Sequence, residues 1–282
     1  MPSPYSIQEN WTQKTQKLLL PQLSKTILMK KKVHIGCSSF YNSYWKKIFY
    51  PETIPSSKWF DYYCTQFNTY EMNGTFYKFP TLKIMDNWYQ KTPEDFLFSV
   101  KVPKEITHHK KLTGCEILLK DFYGICKNGL KEKLGCILFQ FPPGYHYSPE
   151  KLMFLISQLD LDFENVIEFR HESWWIPAVW DALAKNKISF CSVSHPQLPE
   201  TIFTAFPVLY IRFHGRSKMF YSSYSNAELS GVNAIISQNN TKPAFIYFNN
   251  TASTAGILNA LEMKNLAQQP FYQPPTISPP LT

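Results

Sequence analysis

Three consecutive segments decide the fold of this chain: LGCILFQF (134–141), SPEKLMFLISQL (148–159) and NVIEFR (165–170). The first and third are apolar nearly throughout, as parallel strands buried on both faces are. The second has apolar residues at helical spacing, and it opens with Ser148 as a cap and Pro149 at the first helical position. This order predicts one strand–helix–strand unit of a parallel sheet.

The same pattern recurs along the whole chain. Eight segments are predicted strands: 33–39, 67–73, 96–101, 134–141, 165–170, 188–193, 208–214 and 245–250. Helical spacing predicts helices over 56–66, 148–159, 177–186, 226–238 and 252–267. Eight such repeats predict a single-domain (β/α)₈ TIM-type barrel over residues 33–268, with a short or missing helix between the sixth and seventh strands. A doubly wound open sheet is the alternative, but no GxGxxG motif follows any strand.

Both ends of the chain are predicted to lie outside the barrel. Residues 1–32 hold six lysines and one glutamate, so this basic extension carries most of the net charge of +8. Met29 precedes a run of lysines and the first strand, and residues 1–28 are therefore interpreted as dispensable. Residues 269–282 contain five prolines and are predicted to form a flexible tail. The barrel itself is nearly charge-balanced, which argues against a broadly basic nucleic-acid surface.

Composition narrows the class of protein. Aromatic residues make up 16% of the chain, which indicates a packed domain. The sequence has no apolar run of about 18 residues, and LLLP is too short for the core of a signal peptide. The six cysteines form no CxxC pair, so we interpret them as buried structural thiols. These features favour a cytoplasmic protein with no membrane partner.

Arginine is scarce, and its positions are informative. Of the 29 lysines and arginines, only residues 170, 212 and 216 are arginines, and they lie at the ends of the fifth and seventh predicted strands. The loops after the strands form the functional face of a barrel. A guanidinium is a planar, bidentate donor that suits carboxylate or phosphate oxygens, so Arg170, Arg212 and Arg216 predict an anion site. An internal ion pair of Arg170 with Glu71 or Glu168 is the alternative.

Other reactive side chains collect at the same strand ends. Glu71 and Glu168 are candidates for a general acid and base. Four histidines are candidates for proton transfer or metal ligation: His108, His171, His195 and His214. The remaining candidate ligand contacts are Asn73, Thr75, Lys101, Gln140, Asn249 and Asn250. The last two also precede the predicted final helix, whose N–H groups attract phosphate, although they are equally ordinary helix caps.

Aromatic residues and metal ligands leave two questions open. The aromatic side chains predicted to line the rim are Tyr44, Trp45, Tyr77 and Trp174, with capping of the barrel core as the alternative. A divalent metal is the one cofactor considered, but no HxH, HExxH or DxD spacing indicates it. Its ligands would have to come from separate strands.

Seven blocks run in order between residues 33 and 265: IGCSSFYNSYW, FNTYEMNGTFYKFP, FLFSVKVPKEITH, LGCILFQFPP, VIEFRHESW, LYIRFHGR and YFNNT. At these blocks the chain resembles the domain of unknown function 72 family, also called YecE-like proteins. The resemblance implies a (β/α)₈-type barrel with a shared polar pocket, but no settled activity. The corresponding residues are Glu71, Asn73, Thr75, Lys101, His108, Gln140, Glu168, Arg170, His171, Arg212, His214 and Asn249. The chain departs from the family at Ser39, where a glycine is usual, and at Ser194 and His195, where an aspartate is usual.

Two functions follow from these observations. The first is a hydrolase-like enzyme that acts on a small phosphorylated or otherwise anionic molecule, such as a phosphoester or sugar phosphate, at the C-terminal face of the barrel. The second is a non-catalytic nucleic-acid-binding module, in which arginines hold phosphates and rim aromatics stack bases. A purely structural role does not explain so many polar groups at one barrel end.

Overall fold

The computed structural model describes residues 33–239 and 241–268. Parallel strands and helices alternate along these ranges. The strands are β1 Val33–Cys37, β2 Thr69–Met72, β3 Leu97–Lys101, β4 Leu134–Phe141, β5 Asn165–Phe169, β6 Ser189–Phe190, β7 Ser192–Ser194, β8 Leu209–Phe213 and β9 Ala244–Phe248. The α-helices are α1 Trp59–Gln66, α2 Gly74–Tyr77, α3 Leu82–Gln90, α4 Glu116–Leu130, α5 Pro149–Gln158, α6 Pro177–Lys185, α7 Asn226–Gln238 and α8 Ala255–Gln268. Short 3-10 turns lie at Ser43–Trp45, Ser56–Lys58, Lys131–Lys133 and Glu172–Trp174, and a π turn lies at Glu105–His109.

Local sequence signals start two of these helices. The Ser148 hydroxyl accepts the N–H of Lys151 at 3.3 Å and Pro149 occupies the first turn, so α5 begins as predicted. A capping box of Ser225 and Glu228 begins α7. Each cap satisfies N–H groups that the first helical turn leaves without a partner.

The strands form two parallel sheets that together make the wall of the TIM-type barrel predicted from the sequence. One sheet has the order β1-β9-β8-β7 and the other the order β2-β3-β4-β5-β6. β6 and β7 are two halves of the sixth predicted strand, interrupted at Cys191; the first half pairs with β5 and the second with β8. Residues 195–208 contain no helix, as predicted for this connection.

The seam between β1 and β2 is closed by a side chain instead of a ladder. The Tyr63 hydroxyl accepts the N–H of Cys37 at 2.7 Å and donates to the Thr69 carbonyl at 3.0 Å. The strands approach so closely that a Cβ at Gly36 would lie 2.3 Å from the Thr69 carbonyl oxygen. Only glycine fits at this point of β1.

Polar side chains occupy barrel positions where layers of branched aliphatic residues are usual. The Tyr247 hydroxyl lies 2.6 Å from Thr69 Oγ1 and 2.9 Å from Ser99 Oγ. Two residues further along β2, Glu71 accepts a hydrogen bond from the Tyr210 hydroxyl at 2.7 Å. Polar groups from four strands therefore continue toward the C-terminal strand ends, where the candidate site lies.

The helices differ from the sequence prediction in two respects, and the two terminal segments cannot be compared with it. The helices α3 and α4 were not singled out from the apolar spacing. The last helix begins at Ala255 and not at 252, because residues 251–254 form a turn in which the Ser253 hydroxyl accepts the Ala255 N–H at 3.2 Å. The basic extension 1–32, with its dispensable residues 1–28, and the tail 269–282 lie outside the described residues and stay predictions.

All six cysteines are free thiols, and five of them are buried. Burial raises the pKa of the Cys37 thiol far above its usual range, which makes it a packing group and a poor nucleophile. Among the described residues, no helix is both long enough and apolar enough to cross a bilayer.

Candidate functional site

A cavity of about 450 Å³ opens where the strands end, which is within the usual range of small-molecule pockets. Nine residues singled out from the sequence line it: Asn73, Tyr77, Lys101, His108, Gln140, Arg170, His195, Arg212 and Asn249. They come from seven different strand ends. The barrel therefore brings together side chains that are far apart in sequence.

Two fully buried glutamates, Glu71 and Glu168, contact arginines that line this cavity. Arg212 joins them: its Nε and Nη2 donate to Glu71 Oε1 at 3.2 and 2.7 Å, and its Nη1 donates to Glu168 Oε2. The other Glu71 oxygen accepts from Tyr210, and Asn73 donates to Oε1 at 3.2 Å. One guanidinium on β8 thus holds carboxylates on β2 and β5.

Glu168 has a second cationic partner in Arg170, whose Nε donates to Oε1. Burial alone would raise the pKa of Glu168, but the charges of Arg170 and Arg212 outweigh burial and hold that pKa well below its usual range. Glu168 is therefore ionised at neutral pH. Arg170 therefore makes the internal ion pair that the sequence offered as one alternative, and it also lines the cavity.

His214 is a neutral hydrogen-bond link between Arg170 and Asn249. Burial and the charge of Arg170 lower its pKa to about 3. In the neutral ring, Nδ1–H donates to Asn249 Oδ1 at 2.9 Å and Nε2 accepts from Arg170 Nη2 at 3.0 Å. The amide nitrogen of Asn249 donates to Ser38, so its oxygen Oδ1 is the atom that faces His214 and accepts the Nδ1–H hydrogen bond. This histidine orients Arg170 and has no free nitrogen for proton transfer.

Lys101 lies at the end of β3 on the wall of the cavity and is only 8% exposed. Its Nζ donates to Gln140 Oε1 at 2.7 Å and lies 4.0 Å from the centre of the Phe76 ring. Burial lowers the pKa of Lys101 to about 7, and the charge of Arg212 acts in the same direction. A large fraction of this amine is therefore uncharged near neutral pH.

A chain of hydrogen bonds fixes the partner of Lys101. Gln140 Nε2 approaches His108 Nε2 at 3.4 Å, and His108 Nδ1 lies 3.0 Å from Thr107 Oγ1, which donates to the Pro103 carbonyl. Burial, with the charge of Lys101, lowers the His108 pKa to about 4, so the ring is neutral and Nε2 can accept from Gln140. The Gln140 oxygen then points to Lys101.

Several predicted contacts lie away from the cavity. The Thr75 hydroxyl reaches the backbone carbonyls of Met72 and Lys101, and Asn250 donates to the Ser222 carbonyl at 2.8 Å. A turn separates Asn250 from Ala255, and the Gly256 N–H donates to the Asn250 carbonyl, so this N–H group already has a partner. The phosphate contact expected at the last helix stays a prediction.

His171 and Arg216 also lie away from the cavity, each held by its own partners. His171 accepts the N–H of Ser173 and packs its ring 3.8 Å from that of His146. Arg216 is half exposed and pairs with the carboxylates of Glu200 and Glu228. Neither side chain is placed to contact a molecule in the cavity.

Two of the four predicted rim aromatics belong to the core instead. Trp45 is fully buried and donates to the Ser253 carbonyl at 2.9 Å, while Trp174 stacks on Phe169 with ring centres 4.0 Å apart. Their size and apolar surface favour burial beneath the loops over exposure at the rim. Tyr77 lines the cavity from an exposed position, and Tyr44 is exposed without lining it.

The sequence prediction missed five lining residues: Phe76, Pro143, Gln197, Met219 and Phe220. His195 is neutral, because burial and the charge of Arg170 lower its pKa to about 4, and its Nδ1 accepts the Gln197 N–H at 3.1 Å. Met219 and Phe220 lie in the irregular connection after β8, where no periodic signal exists. His195 is a candidate from the sequence, because it follows the sixth predicted strand directly, and it lines the cavity.

Ser194 faces a different group of residues from its neighbour His195. Its hydroxyl donates to Glu200 and accepts from the Tyr224 hydroxyl at 2.8 Å. Of the pair that replaces the usual aspartate, only His195 lines the cavity at the strand ends. In the described range of the chain, no three His, Cys, Asp or Glu side chains are grouped as a metal site would need.

Comparison with known proteins places this geometry in one family. A family model described as "Protein of unknown function DUF72" matches residues 34–280. The UPF0759 protein YunF of Bacillus subtilis (strain 168) is 25% identical over 255 residues, which cover 77% of this chain and 89% of YunF. The UPF0759 protein YecE of Escherichia coli (strain K12) is 29% identical over 116 residues, or 40% of this chain and 42% of YecE.

Solved structures show the same fold. A DUF72 family protein of Thermotoga maritima MSB8 superposes with a TM-score of 0.75 at 27% identity, covering 84% of this chain and 99% of that protein. A DUF72 family protein of Enterococcus faecalis V583 superposes with a TM-score of 0.73 at 20% identity, covering 87% and 100%.

Proposed function

This chain belongs to the family of unknown function DUF72, and on that premise we propose that its cavity binds a small anionic or phosphorylated molecule and that the protein acts on it as an enzyme. The ligand enters the C-terminal mouth of the barrel. Its anionic group lies on the floor formed by Arg170 and Arg212, and its body packs against the aromatic walls of Phe76 and Phe220.

The observation that carries this proposal is that one nitrogen of the Arg170 guanidinium, Nη1, makes no hydrogen bond to the described residues. Nε binds Glu168 and Nη2 binds His214, while Nη1 has no hydrogen-bond partner within residues 33–239 and 241–268. Asn73 Oδ1 beside the same cavity is a buried acceptor with no partner in these same ranges. A donor fork held in place at the floor of a pocket is suited to a carboxylate or phosphate.

Glu71 and Glu168 are better suited to neutralise the charges of Arg170 and Arg212 than to act as a general acid and base. The low pKa of Glu168 leaves it no proton to donate near pH 7, and both of its oxygens accept hydrogen bonds from arginines. A hydrolytic mechanism that uses Glu71 and Glu168 as acid and base has no support in this geometry. Lys101 is the cavity group whose pKa suits proton transfer at neutral pH.

Binding is tested by thermal unfolding with inorganic phosphate and pyrophosphate. We expect both anions to raise the melting temperature, because a ligand that binds only the folded state stabilises it, and this stabilisation increases with the logarithm of the ligand concentration once the concentration exceeds the dissociation constant. Arg170→Gln should abolish the increase, and Arg216→Gln is the matched control that should retain it. An increase that is equal in both variants would refute the proposed site.

Nucleic-acid binding is distinguished by a second measurement on the same proteins. A labelled single-stranded oligonucleotide should show no change in fluorescence anisotropy that depends on Arg170. Two of the aromatics needed for base stacking, Trp45 and Trp174, lie in the core and cannot take that role. Oligonucleotide binding that is lost in Arg170→Gln would favour the nucleic-acid function over a small ligand.

A further inference from the structure

We propose that Lys101 is a nucleophilic amine that forms an imine with the carbonyl carbon of a small anionic aldehyde or ketone. This inference rests on the proposed function, since the arginines of the same cavity hold the anionic group of that substrate. It adds the substrate class and a covalent step.

The position of Lys101 is suited to a reacting group. Its Nζ lies on the cavity wall at the end of β3, and no carboxylate of the described residues lies within 4.0 Å of it. Buried lysines are normally paired, because an unpaired ammonium is costly to remove from water. Gln140 and the ring of Phe76 are its contacts, and neither neutralises a charge.

A second buried lysine shows what a structural role looks like in this chain. Lys133 is as buried as Lys101, but its Nζ donates to the carbonyls of Tyr89 and Thr92, each at 2.8 Å, and to Thr92 Oγ1 at 3.2 Å. An ammonium has three N–H donors, and Lys133 uses all of them. Lys101 uses one, to Gln140, and its other N–H donors have no hydrogen-bond partner among the described residues.

The surroundings of Lys101 keep the amine in place and partly uncharged. Gln140, itself held by His108, fixes Nζ on one side, and the Phe76 ring covers another. The charged groups that act on Lys101 are Arg170 and Arg212, which favour the neutral amine, and the two glutamates beneath them, which oppose this. With burial, the balance lowers the pKa of Lys101 to about 7, so the free base required for attack is available.

The covalent step balances without any further reactant except a proton. The lone pair of neutral Nζ attacks the carbonyl carbon, a C–N bond forms, and the carbonyl π electrons move to oxygen. A proton moves from nitrogen to that oxygen to give a carbinolamine. One further proton from solvent at the open mouth allows the hydroxyl to leave as water, and the product is a protonated imine. No atom is oxidised or reduced.

The experiment traps the imine with sodium cyanoborohydride and maps the modified lysines by mass spectrometry. The probes are glyoxylate and glyceraldehyde 3-phosphate, which separate a carboxylate from a phosphate, and glyceraldehyde, which lacks the phosphate. In the wild-type protein we expect about tenfold more adduct on Lys101 with glyceraldehyde 3-phosphate than with glyceraldehyde, the factor that one hydrogen bond to a charged group supplies. Exposed Lys104, on the loop after β3, is the internal reference.

Variants separate the roles of the amine and the arginine. Lys101→Arg should lose the adduct, whereas Lys104→Met should retain both the adduct and the thermal response to phosphate. Arg170→Gln should lose the preference for the anionic probe. Circular dichroism spectra that match the wild type show that each variant is folded.

The outcomes distinguish this inference from the proposed function. If phosphate stabilises the protein through Arg170 but neither anionic probe labels Lys101 above Lys104, the inference is refuted and the anion site stands. If phosphate has no effect and Lys101 is not labelled, both are refuted. Equal labelling of Lys101 by glyceraldehyde and its phosphate also overturns the proposed substrate class.

Discussion

Replacing Lys101 by methionine should make the protein more stable at low pH, and the gain should shrink as the pH rises. The side chain is 8% exposed, and its pKa falls from 10.5 in the unfolded chain to about 7 in the fold. Below pH 7 the ammonium is charged in both states, and the fold bears the whole penalty of burying it. As the pH rises through 7, the folded state releases its proton while the unfolded chain keeps it, so the penalty diminishes.

The size of the effect follows from the difference between the two pKa values. Each pH unit is equivalent to about 1.4 kcal/mol, so the full penalty below pH 7 is about 5 kcal/mol. Between pH 6 and pH 9.5, the portion that disappears is about 3 kcal/mol. The stabilising effect of Lys101→Met should therefore fall by that amount across this range. Methionine is flexible enough to occupy the same space against Phe76.

The assay is urea unfolding of wild type, Lys101→Met and Lys104→Met at pH 6, 7, 8 and 9.5, followed by circular dichroism. Lys104 is exposed, so its variant should differ from wild type by a small amount that does not depend on pH. A free-energy difference between Lys101→Met and wild type that is constant from pH 6 to pH 9.5 would refute the reasoning. It would mean that Lys101 has an ordinary pKa and no special reactivity.

Three further variants test the supports of the barrel and its site. Glu168→Gln leaves two buried guanidiniums without their shared carboxylate, and the free energy of unfolding in urea should fall by about 3–5 kcal/mol. Gly36→Ala places a Cβ against the backbone of β2 and should lower the melting temperature, at a cost of about 1–3 kcal/mol or more; Gly144→Ala, where a Cβ meets nothing within 4 Å, is its control and should be nearly neutral. Arg216→Ala removes exposed ion pairs worth about 0–1 kcal/mol each, so a large loss of stability in calorimetry would contradict the surface role assigned to it.

The sequence predicts the fold and the floor of the site because both depend on regular strands. Alternation along β8 directs Tyr210 and Arg212 to the same side, and both side chains contact Glu71. Arg216 was predicted to lie at the same strand end, but it lies away from the cavity for a physical reason. Gly215 has φ of +100°, which turns the chain after the strand and carries Arg216 to the exposed glutamates.

The walls of the site are less predictable, because loops have no periodic pattern. Phe220 covers the cavity from a left-handed backbone conformation with φ of +68°, and nothing in the local sequence marks that turn. Large aromatics after a strand are ambiguous for another reason. Trp45 and Tyr77 both follow predicted strands, but one is buried by the loop before α8 and the other is exposed. That choice depends on contacts from distant regions of the chain.

The two places where the ladder is interrupted, between β1 and β2 and at Cys191, divide the barrel into unequal halves. Arg212 belongs to the half with β8, while Glu71 and Glu168 belong to the other. The Arg212 guanidinium, which lines the pocket, therefore also connects the two halves of the barrel through its hydrogen bonds to the glutamates. A ligand that competes with Glu71 and Glu168 for Arg212 should weaken the contact between the two halves of the barrel. A ligand that strengthens these ion pairs should stabilise that contact, because binding and the contact are thermodynamically linked. Amide hydrogen exchange along β2 and β8 should therefore change when a ligand occupies the pocket, because Arg212 on β8 lines it and pairs with Glu71 on β2.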